Sequence, residues 1–404
     1  MRWGAWIARA AAASAAVLVF VVAAAWMLAR PAKPDAFYTP PVAPPRGAGV
    51  LLRSEPLGRG TPPGAKAWRI LYATTAGDGA PAVASAVVMT AEGGAQAPRP
   101  VIAWAHGTTG VAPGCAPSMA ADPYRSAAAA AAIVSEHWVY VGADYIGLGV
   151  GGAGHAYLVG ADAGHAVLDA VRAARQIKGL AAAEQTVVWG HSQGGGAALW
   201  TGVLAPSYAP DVNVVGVAAL APASDLPALF DAGAGTVFGK IVSAYLAHAY
   251  EAAYPETRAF SYVEPAARWL VRDIAGRCTI GRETLFSAAE TMLLPREGIF
   301  WRAPSEGPFG ARLAENTPRL PIAAPLLIAQ GDRDDLVPAA IQTTYADAQC
   351  AEGQKLDYRV YAGRDHMSLL APDSPLTGDL IAWTRARFAG EPAASTCPKR
   401  NGGR

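Results

Sequence analysis

The chain contains 404 residues, of which 52% are hydrophobic and 16% are charged, and its formal net charge is +1. This length supports one large core and a subsidiary domain, and the apolar composition excludes a disordered chain. The charge is close to zero and no dense stripe of lysine and arginine occurs, which argues against nucleic acid as a partner. We therefore expect neutral or apolar partners.

The N-terminal segment, residues 1–34, combines a long uncharged stretch with a short linker. Ala10–Ala29 contains no charged residue and is long enough, as a helix, to span the hydrocarbon core of a membrane. The alanines at 23–25 fit a signal peptidase site, whereas Arg30 and Lys33 flank the stretch as they would a retained anchor. Both interpretations predict export, either as a secreted protein or as one anchored in the cell membrane. The Pro-rich stretch RPAKPDAFYTPPVAPPRG is typical of a linker or a wrapping arm.

The cysteines are even in number and are Cys115, Cys278, Cys350 and Cys397. None belongs to a CxxC pair, which argues against a zinc or thioredoxin-type site. An even number in an exported chain favours two disulfides, and the residues alone leave all pairings open.

Short apolar runs rich in β-branched residues alternate with helical patterns. The predicted strands are Trp68–Thr74, Val83–Thr90, Val101–Ala105, Trp138–Gly142, Thr186–Gly190, Val212–Leu220, Pro325–Gln330 and Asp357–Tyr361, and the clearest helices are Ala161–Gly179, Gly194–Leu204 and Gly378–Phe388. Because several strands are continuously apolar, we expect a parallel sheet covered on both faces. The alternation predicts an α/β fold.

One segment, Leu226–Pro318, breaks this alternation because it is largely helical and has no convincing strand. We expect a helical cap at residues 226–318 over one end of a core formed by 35–225 and 319–404. Four aromatic residues of this segment are expected to be plain cap core, with shelter for an acyl chain as the alternative: Phe230, Phe238, Tyr245 and Tyr250.

The sequence Gly190-His-Ser192-Gln193-Gly194 lies between a predicted strand and a predicted helix. This Gly-x-Ser-x-Gly context is typical of a nucleophile elbow, in which the serine occupies a tight, strained turn and the glycines leave room for it. Ser192 is therefore the candidate nucleophile. The backbone N–H of Gln193, at the helix N-terminus, is a candidate oxyanion donor.

A serine nucleophile needs a base and an acid, which follow it in that fold in the order acid, then histidine. His366 is the only histidine after residue 331, so the order rule selects it. Asp332, Asp334 and Asp335 compete for the acid, and the spacing after the strand favours Asp334.

A second oxyanion donor is expected in the loop after the predicted strand Val101–Ala105, where the sequence is HGTTG. Gly107 lets the backbone turn and the amide of Thr108 is the candidate donor; the alternative is an ordinary Gly-Thr turn. His106 precedes the acid, so we expect it to be structural.

The stretch Gly147–Gly152 fits GxGxxG and follows a predicted strand. A dinucleotide site requires a helix that opens within the motif, but further glycines come before any helix. We therefore predict a loop near the active site, with no cofactor and no metal.

Five motifs in order, HGTTG, DYIGLGVGG…HAYL, GHSQGGGAALW, GDRDDLVP and RDHMSL, resemble the secretory lipase family of α/β-hydrolases. The similarity runs from about Asp35 to Cys397. It implies a mostly parallel sheet flanked by helices, with a helical cap inserted between the nucleophile and acid strands. It also implies a triad of Ser192, Asp334 and His366, amides from Thr108 and Gln193, and disulfides Cys115–Cys278 and Cys350–Cys397. The Thr108 assignment comes from the residues, since fungal members do not share the HGTTG loop closely.

The leading hypothesis is an exported serine ester hydrolase that cleaves lipid-like acyl esters, with a membrane or lipid surface as a possible partner. The first alternative is an acyltransferase that uses the same triad. The second is a non-catalytic binder at the cell envelope, which would not need all three catalytic residues.

Overall fold

The computed structural model describes residues 2–42, 47–94, 97–152 and 154–398. In these residues nine strands form one sheet: β1 Leu51–Pro56, β2 Ala65–Thr75, β3 Pro81–Ala91, β4 Arg99–Ala105, β5 Val139–Ala143, β6 Ala182–His191, β7 Asn213–Leu220, β8 Leu326–Gly331 and β9 Leu356–Tyr361. The sheet order is β1-β2-β3-β5-β4-β6-β7-β8-β9. Strands β1, β2, β3 and β5 pair antiparallel, and all pairs from β5 to β9 are parallel.

Every predicted strand is confirmed, because each apolar run supplies the two-sided burial that a covered parallel strand requires. Strand β1 was not predicted. It is an edge strand whose Arg53 and Ser54 are exposed, so it lacks the apolar signal of the central strands.

The helices are α1 Arg2–Leu28, α2 Ala130–Ser135, α3 Gly160–Ala174, α4 Gln193–Tyr208, α5 Leu226–Gly233, α6 Val237–Ala253, α7 Ala259–Tyr262, α8 Arg268–Ala275, α9 Glu283–Thr291, α10 Gly307–Glu315, α11 Ala339–Ala351 and α12 Pro375–Phe388. Helices α3, α4 and α11 pack on one face of the sheet, and α2 and α12 pack on the other. The three predicted helices correspond to α3, α4 and α12. The molecule therefore has the α/β sandwich that the alternation predicts.

Helices α5–α10 lie between β7 and β8, and this segment contains no strand, as expected. It has its own apolar core, in which Tyr245, Tyr250 and Phe309 are fully buried. The assignment of residues 226–318 as a cap stays a prediction.

The part of the Pro-rich stretch around Asp35–Tyr38 packs against the core, as a wrapping arm would, and residues 43–46 of the stretch lie outside the described residues. Phe37 and Tyr38 are buried, and the hydroxyl of Tyr38 is 2.9 Å from Ser118 Oγ. Arg69 binds Asp35 at 2.8 Å. Preceding it, α1 contains one stretch, Ala11–Leu28, that is long and apolar enough to cross a membrane, and none of the described residues of this stretch is buried.

Disulfides join Cys115 to Cys278 and Cys350 to Cys397, as the family resemblance implies. The first links the loop after β4 to the helical segment between β7 and β8. The second links the end of α11 to the C-terminal tail.

Candidate active site

Ser192 lies at the turn between β6 and α4, with φ +60° and ψ −122°. This backbone conformation is rare for a residue with a side chain and is typical of strained functional turns. Although Ser192 is the N-cap residue of α4, its hydroxyl does not cap the helix. The side chain therefore stays free for another role.

The glycines on either side of Ser192 are required by close backbone contacts. A Cβ atom at Gly190 would lie 1.9 Å from the Gly194 carbonyl oxygen, and one at Gly194 would lie 2.0 Å from the Ala105 carbonyl oxygen. No side chain fits at either position, which confirms the steric reason given for the motif.

His366 and Asp334 form the histidine–carboxylate pair of the site. His366 follows β9, and its Nδ1 donates to Asp334 Oδ2 at 2.8 Å. Both residues are buried. The other carboxylate oxygen of Asp334 accepts from the N–H groups of Leu336 and Val337, and Oδ2 also accepts from Gln330 Nε2 at 3.1 Å. These donors hold Asp334 in one orientation, which in turn fixes the ring of His366.

The two competing aspartates lie elsewhere in the same loop. Asp332 is exposed and accepts from the Gly363 N–H at 2.6 Å. Asp335 is exposed and lines the pocket described below. Of the three, Asp334 is the residue that contacts His366.

His366 also lies against the elbow. His191, which directly precedes Ser192, donates from Nε2 to the backbone oxygen of His366 at 3.0 Å, and the two rings are 4.5 Å apart. Burial and the nearby His366 lower the pKa of His191 well below its ordinary value, so its ring stays neutral. Within the described chain, no hydrogen bond joins the Ser192 hydroxyl to His366. Such catalytic contacts are often long in unliganded enzymes and shorten with substrate.

Thr108 and Gln193 both lie close to Ser192. The loop that carries Thr108 packs directly on the elbow, since a Cβ at Gly107 would be 3.5 Å from Ser192 Cβ. Gln193 is the first residue of α4, where backbone N–H groups have no partner within the helix. Thr108, Ser192 and Gln193 line one pocket.

Contacts from outside the motif hold Thr108, and sequence reasoning missed them. Its hydroxyl is 2.7 Å from Tyr157 Oη, and its backbone oxygen accepts from Thr279 Oγ1 at 2.8 Å. Thr279 follows Cys278, so the helical segment and its disulfide support this loop. Tyr157 belongs to the HAYL part of the DYIGLGVGG…HAYL motif, so the motif could have indicated a residue that contacts the site.

His155, from the same motif, supports Gln193. Its Nδ1 donates to the Ile146 oxygen at 3.0 Å, and its Nε2 accepts from Gln193 Nε2 at 2.9 Å. The ring stacks on Tyr145 with 5.6 Å between centroids. Burial lowers the pKa of His155 to about 3 and that of His106 to about 4. His106 contacts the Tyr145 ring and the Gly107 oxygen, in keeping with the structural role expected of it.

The pocket above Ser192 is mainly apolar. Its roof comes from α5 and α6 and consists of Leu226, Leu229, Phe230, Phe238 and Val242. Phe230 and Phe238 thus line the pocket, whereas Tyr245 and Tyr250 belong to the buried core of the helical segment. The expectation of plain cap core is confirmed for the two tyrosines and for Phe230, which belongs to the same buried core although it also lines the pocket. Phe238 is half-buried and lies outside that core, so the expectation is wrong for this residue.

In the described residues, no group of histidine, cysteine, aspartate and glutamate is suited to hold a metal ion. The GxGxxG stretch is followed by α3, which begins at Gly160 and not within the motif. A Cβ at Gly147 would lie 2.2 Å from the Gly154 oxygen, so this glycine serves a tight loop. The loop leads directly into His155 and Tyr157.

A serine elbow after a central parallel strand, beneath a helical insertion, defines an α/β-hydrolase. The sequence model of the secretory lipase family matches residues 127–396, and the chain belongs to this family. A Mycobacterium tuberculosis protein named "probable inactive lipase" is 26% identical over 383 residues, 89% of this chain and 82% of that protein. Lipase 6 of Candida albicans is 25% identical over 259 residues, 59% of this chain and 54% of the lipase. This chain therefore spans about half the length of the yeast lipase.

Solved structures share the fold. Candida antarctica lipase A in its closed state superposes with a TM-score of 0.72 at 20% identity, covering 90% of this chain and 87% of that one. A rice cell wall degrading esterase from Xanthomonas oryzae, in a ligand-bound form, gives a TM-score of 0.69 at 21% identity, covering 86% and 100%. At these identities the similarity supports the fold alone.

Proposed function

We propose that this protein is an exported serine carboxylic ester hydrolase that cleaves lipid-like acyl esters through an acyl-enzyme on Ser192. The observation that carries the proposal is the buried bond between His366 and Asp334, on a loop that contacts the elbow through His191. Membership of the secretory lipase family supports the reaction class.

The proposed reaction starts with attack of Ser192 Oγ on the carbonyl carbon of the ester. His366 takes the hydroxyl proton on Nε2, because Nδ1 is committed to Asp334, and the carboxylate stabilises the imidazolium. The alkoxide of the tetrahedral intermediate accepts hydrogen bonds from the N–H groups of Thr108 and Gln193. The carbon–oxygen bond to the alcohol breaks, and His366 returns its proton to the leaving oxygen. Water then resolves the acyl-enzyme by the same steps in reverse order.

The pocket supports an apolar acyl group as the substrate part that lies beside Ser192. Its roof from α5 and α6 offers aliphatic and aromatic side chains, which favour burial of hydrocarbon by about 25 cal/mol per Å². We propose that residues 226–318 act as the cap that shelters this chain. The N-terminal apolar stretch supports the proposed export, either as a signal peptide or as a retained anchor.

The decisive experiment compares the wild type with Ser192→Ala and with Ser207→Ala, an exposed serine at the other end of α4. We expect Ser192→Ala to lower kcat for p-nitrophenyl ester hydrolysis by about a thousandfold or more and Ser207→Ala to leave it unchanged. A fluorophosphonate probe should label Ser192 in the wild type. Undiminished turnover by Ser192→Ala would refute the proposal.

Two alternatives have distinct outcomes. An acyltransferase would form a new ester instead of the free acid when an alcohol is added, and product analysis distinguishes the two. A non-catalytic binder is favoured by the Mycobacterium tuberculosis relative, which is named a probable inactive lipase. It predicts that the probe labels neither the wild type nor the Ser207→Ala variant.

A further inference from the structure

The C-terminal end of α1 is attached to the helical segment by a buried charged cluster. Arg277 is fully buried and pairs with Asp273 at 2.7 Å and Glu290 at 3.5 Å. It also donates to the backbone oxygens of Ala29, at 2.5 Å, and Trp26, at 3.3 Å. The guanidinium thus binds the free carbonyl groups at the end of α1, where a cation is favourable, while the two acids neutralise its charge.

Two further contacts hold the same end of α1. Trp26 Nε1 donates to Glu290 Oε1 at 2.6 Å, and Arg30 donates to Asp273 Oδ1 at 2.6 Å. The chain then runs closely over the core, since a Cβ at Gly114 would lie 2.1 Å from the Ala32 oxygen. Little free chain therefore separates α1 from the protein, and the contacts of Trp26, Ala29 and Arg30 hold the end of α1 against the helical segment.

An exposed apolar stripe begins on α9, the helix that binds Trp26, and continues into the turn after it. Leu285 and Ala289 are spaced at i and i+4 and share one face of α9, and Met292 and Leu293 lie in the turn directly after Thr291. Leu285 is 74% exposed, Met292 81% and Leu293 72%. Single exposed apolar side chains are common on protein surfaces, whereas several of them next to one another are typical of an interaction surface.

An exposed aromatic residue and two exposed arginines lie near the attachment point in the chain. Trp269 is 61% exposed and lies one turn before Asp273 on α8, the residue that binds Arg30. Arg282 and Arg296 are exposed just beyond the two ends of the stripe. Exposed tryptophan beside an apolar face with arginines at its edge is typical of a protein surface at a lipid–water boundary.

We propose that this face, Leu285, Ala289, Met292, Leu293 and Trp269, lies on the surface of the lipid bilayer that α1 enters. A bilayer is the occupant because α9, where the stripe begins, binds Trp26 at the end of α1, the one helix of the described chain that is long and apolar enough to span a membrane. The inference depends on α1 being retained as the anchor.

This placement also orients the active-site pocket. Lys240 of α6 donates to the Thr291 oxygen at 3.3 Å, so the pocket wall packs on the end of α9. A Cβ at Gly235, in the loop between α5 and α6, would be 2.9 Å from the Arg296 oxygen. Because that loop joins the pocket residues Gly233 and Thr236, the docked face holds the pocket rim close to the lipid surface.

The test is photo-crosslinking of the full chain in vesicles of phosphatidylcholine and phosphatidylglycerol. The photoreactive residue p-benzoylphenylalanine replaces Leu285 or Leu293, with Phe20 in α1 as positive control and the exposed Val360 on β9 as negative control. We expect lipid adducts at positions 20, 285 and 293 and none at 360. The proposal is overturned by adducts at 20 without any at 285 and 293, by no adduct at 20, or by a crosslinked protein dimer at the stripe.

A second measurement separates docking from catalysis. Leu285→Asp/Leu293→Asp should lower hydrolysis of a long-chain ester dispersed in the vesicles about tenfold and leave that of a soluble short-chain ester unchanged. Val360→Asp should change neither rate. Equal rates for the double variant and the wild type on the dispersed ester would contradict docking. If neither ester is hydrolysed by any form, the proposed function fails, while the crosslinks still decide the proposed surface.

Discussion

His155 shows how one buried ring serves the site without taking part in the proposed reaction. Both of its nitrogens have partners, and these fix the neutral form with the proton on Nδ1. Through Gln193 it supports the first residue of α4, whose N–H is the proposed oxyanion donor. Protonation of this ring is unfavourable because the ring is buried, and its pKa is therefore about 3.

This burial predicts a dependence of stability on pH. The unfolded chain protonates the ring below about pH 6.5 and the folded chain does not, so stability from His155 is lost as the pH falls. We expect His155→Asn to have a lower free energy of unfolding than the wild type at pH 7. At pH 5 the difference between the two proteins should be smaller by about 2 kcal/mol, because only the wild type loses stability through this ring as the pH falls. Denaturant unfolding at the two pH values measures it. A gap that stays the same at the two pH values would contradict the argument.

At the scale of elements, the elbow depends on close approach between β6, α4 and the end of β4. Gly194 has no space for a Cβ, whereas Gly378 in α12 has no atom within 4 Å of that position. The two glycines lie in helices and differ only in their surroundings. They therefore form a matched pair for the steric argument.

We expect Gly194→Ala to abolish ester hydrolysis and to destabilise the fold, because its methyl group would overlap the Ala105 carbonyl. Gly378→Ala should keep full activity and raise the free energy of unfolding by about 0.4–1 kcal/mol, since alanine reduces the entropy of the unfolded chain. Thermal unfolding and a p-nitrophenyl ester assay measure both variants. An active Gly194→Ala enzyme would show that the turn tolerates a wider geometry.

The elements that can be predicted from the sequence are those marked by a pattern of neighbouring residues, such as an apolar run or a motif. Apolar runs locate the central strands, and the order of motifs selects Ser192, Asp334 and His366 as candidates, whose roles stay predictions. Edge strand β1 has no such signal. The supporting contacts also lie beyond local patterns, because Thr108–Tyr157 and Gln193–His155 join residues 49 and 38 positions apart. Only the folded chain shows which polar groups meet.

At the scale of the whole molecule, the two disulfides differ in the length of chain they enclose and in the parts of the protein they join. Cys115–Cys278 spans 163 residues and joins the core to the helical segment, while Cys350–Cys397 spans 47 within the core. Beside the first, Gly110 pairs with Cys278 as an isolated bridge, and the Thr279 N–H donates to the Thr109 oxygen at 2.9 Å. This disulfide therefore supports the loop that carries Thr108.

Removal of each disulfide should consequently have a different effect. Loop entropy predicts losses of at most about 5 kcal/mol for Cys115→Ala/Cys278→Ala and about 4 kcal/mol for Cys350→Ala/Cys397→Ala. The stability changes are thus similar, but only the first pair should also lower kcat, because the loop beside Ser192 loses its support from Thr279. Unfolding in denaturant and ester hydrolysis at a temperature where both variants are folded separate the two effects. Equal kcat for both variants would mean that the backbone contacts at Gly110 and Thr279 hold the loop without the covalent link.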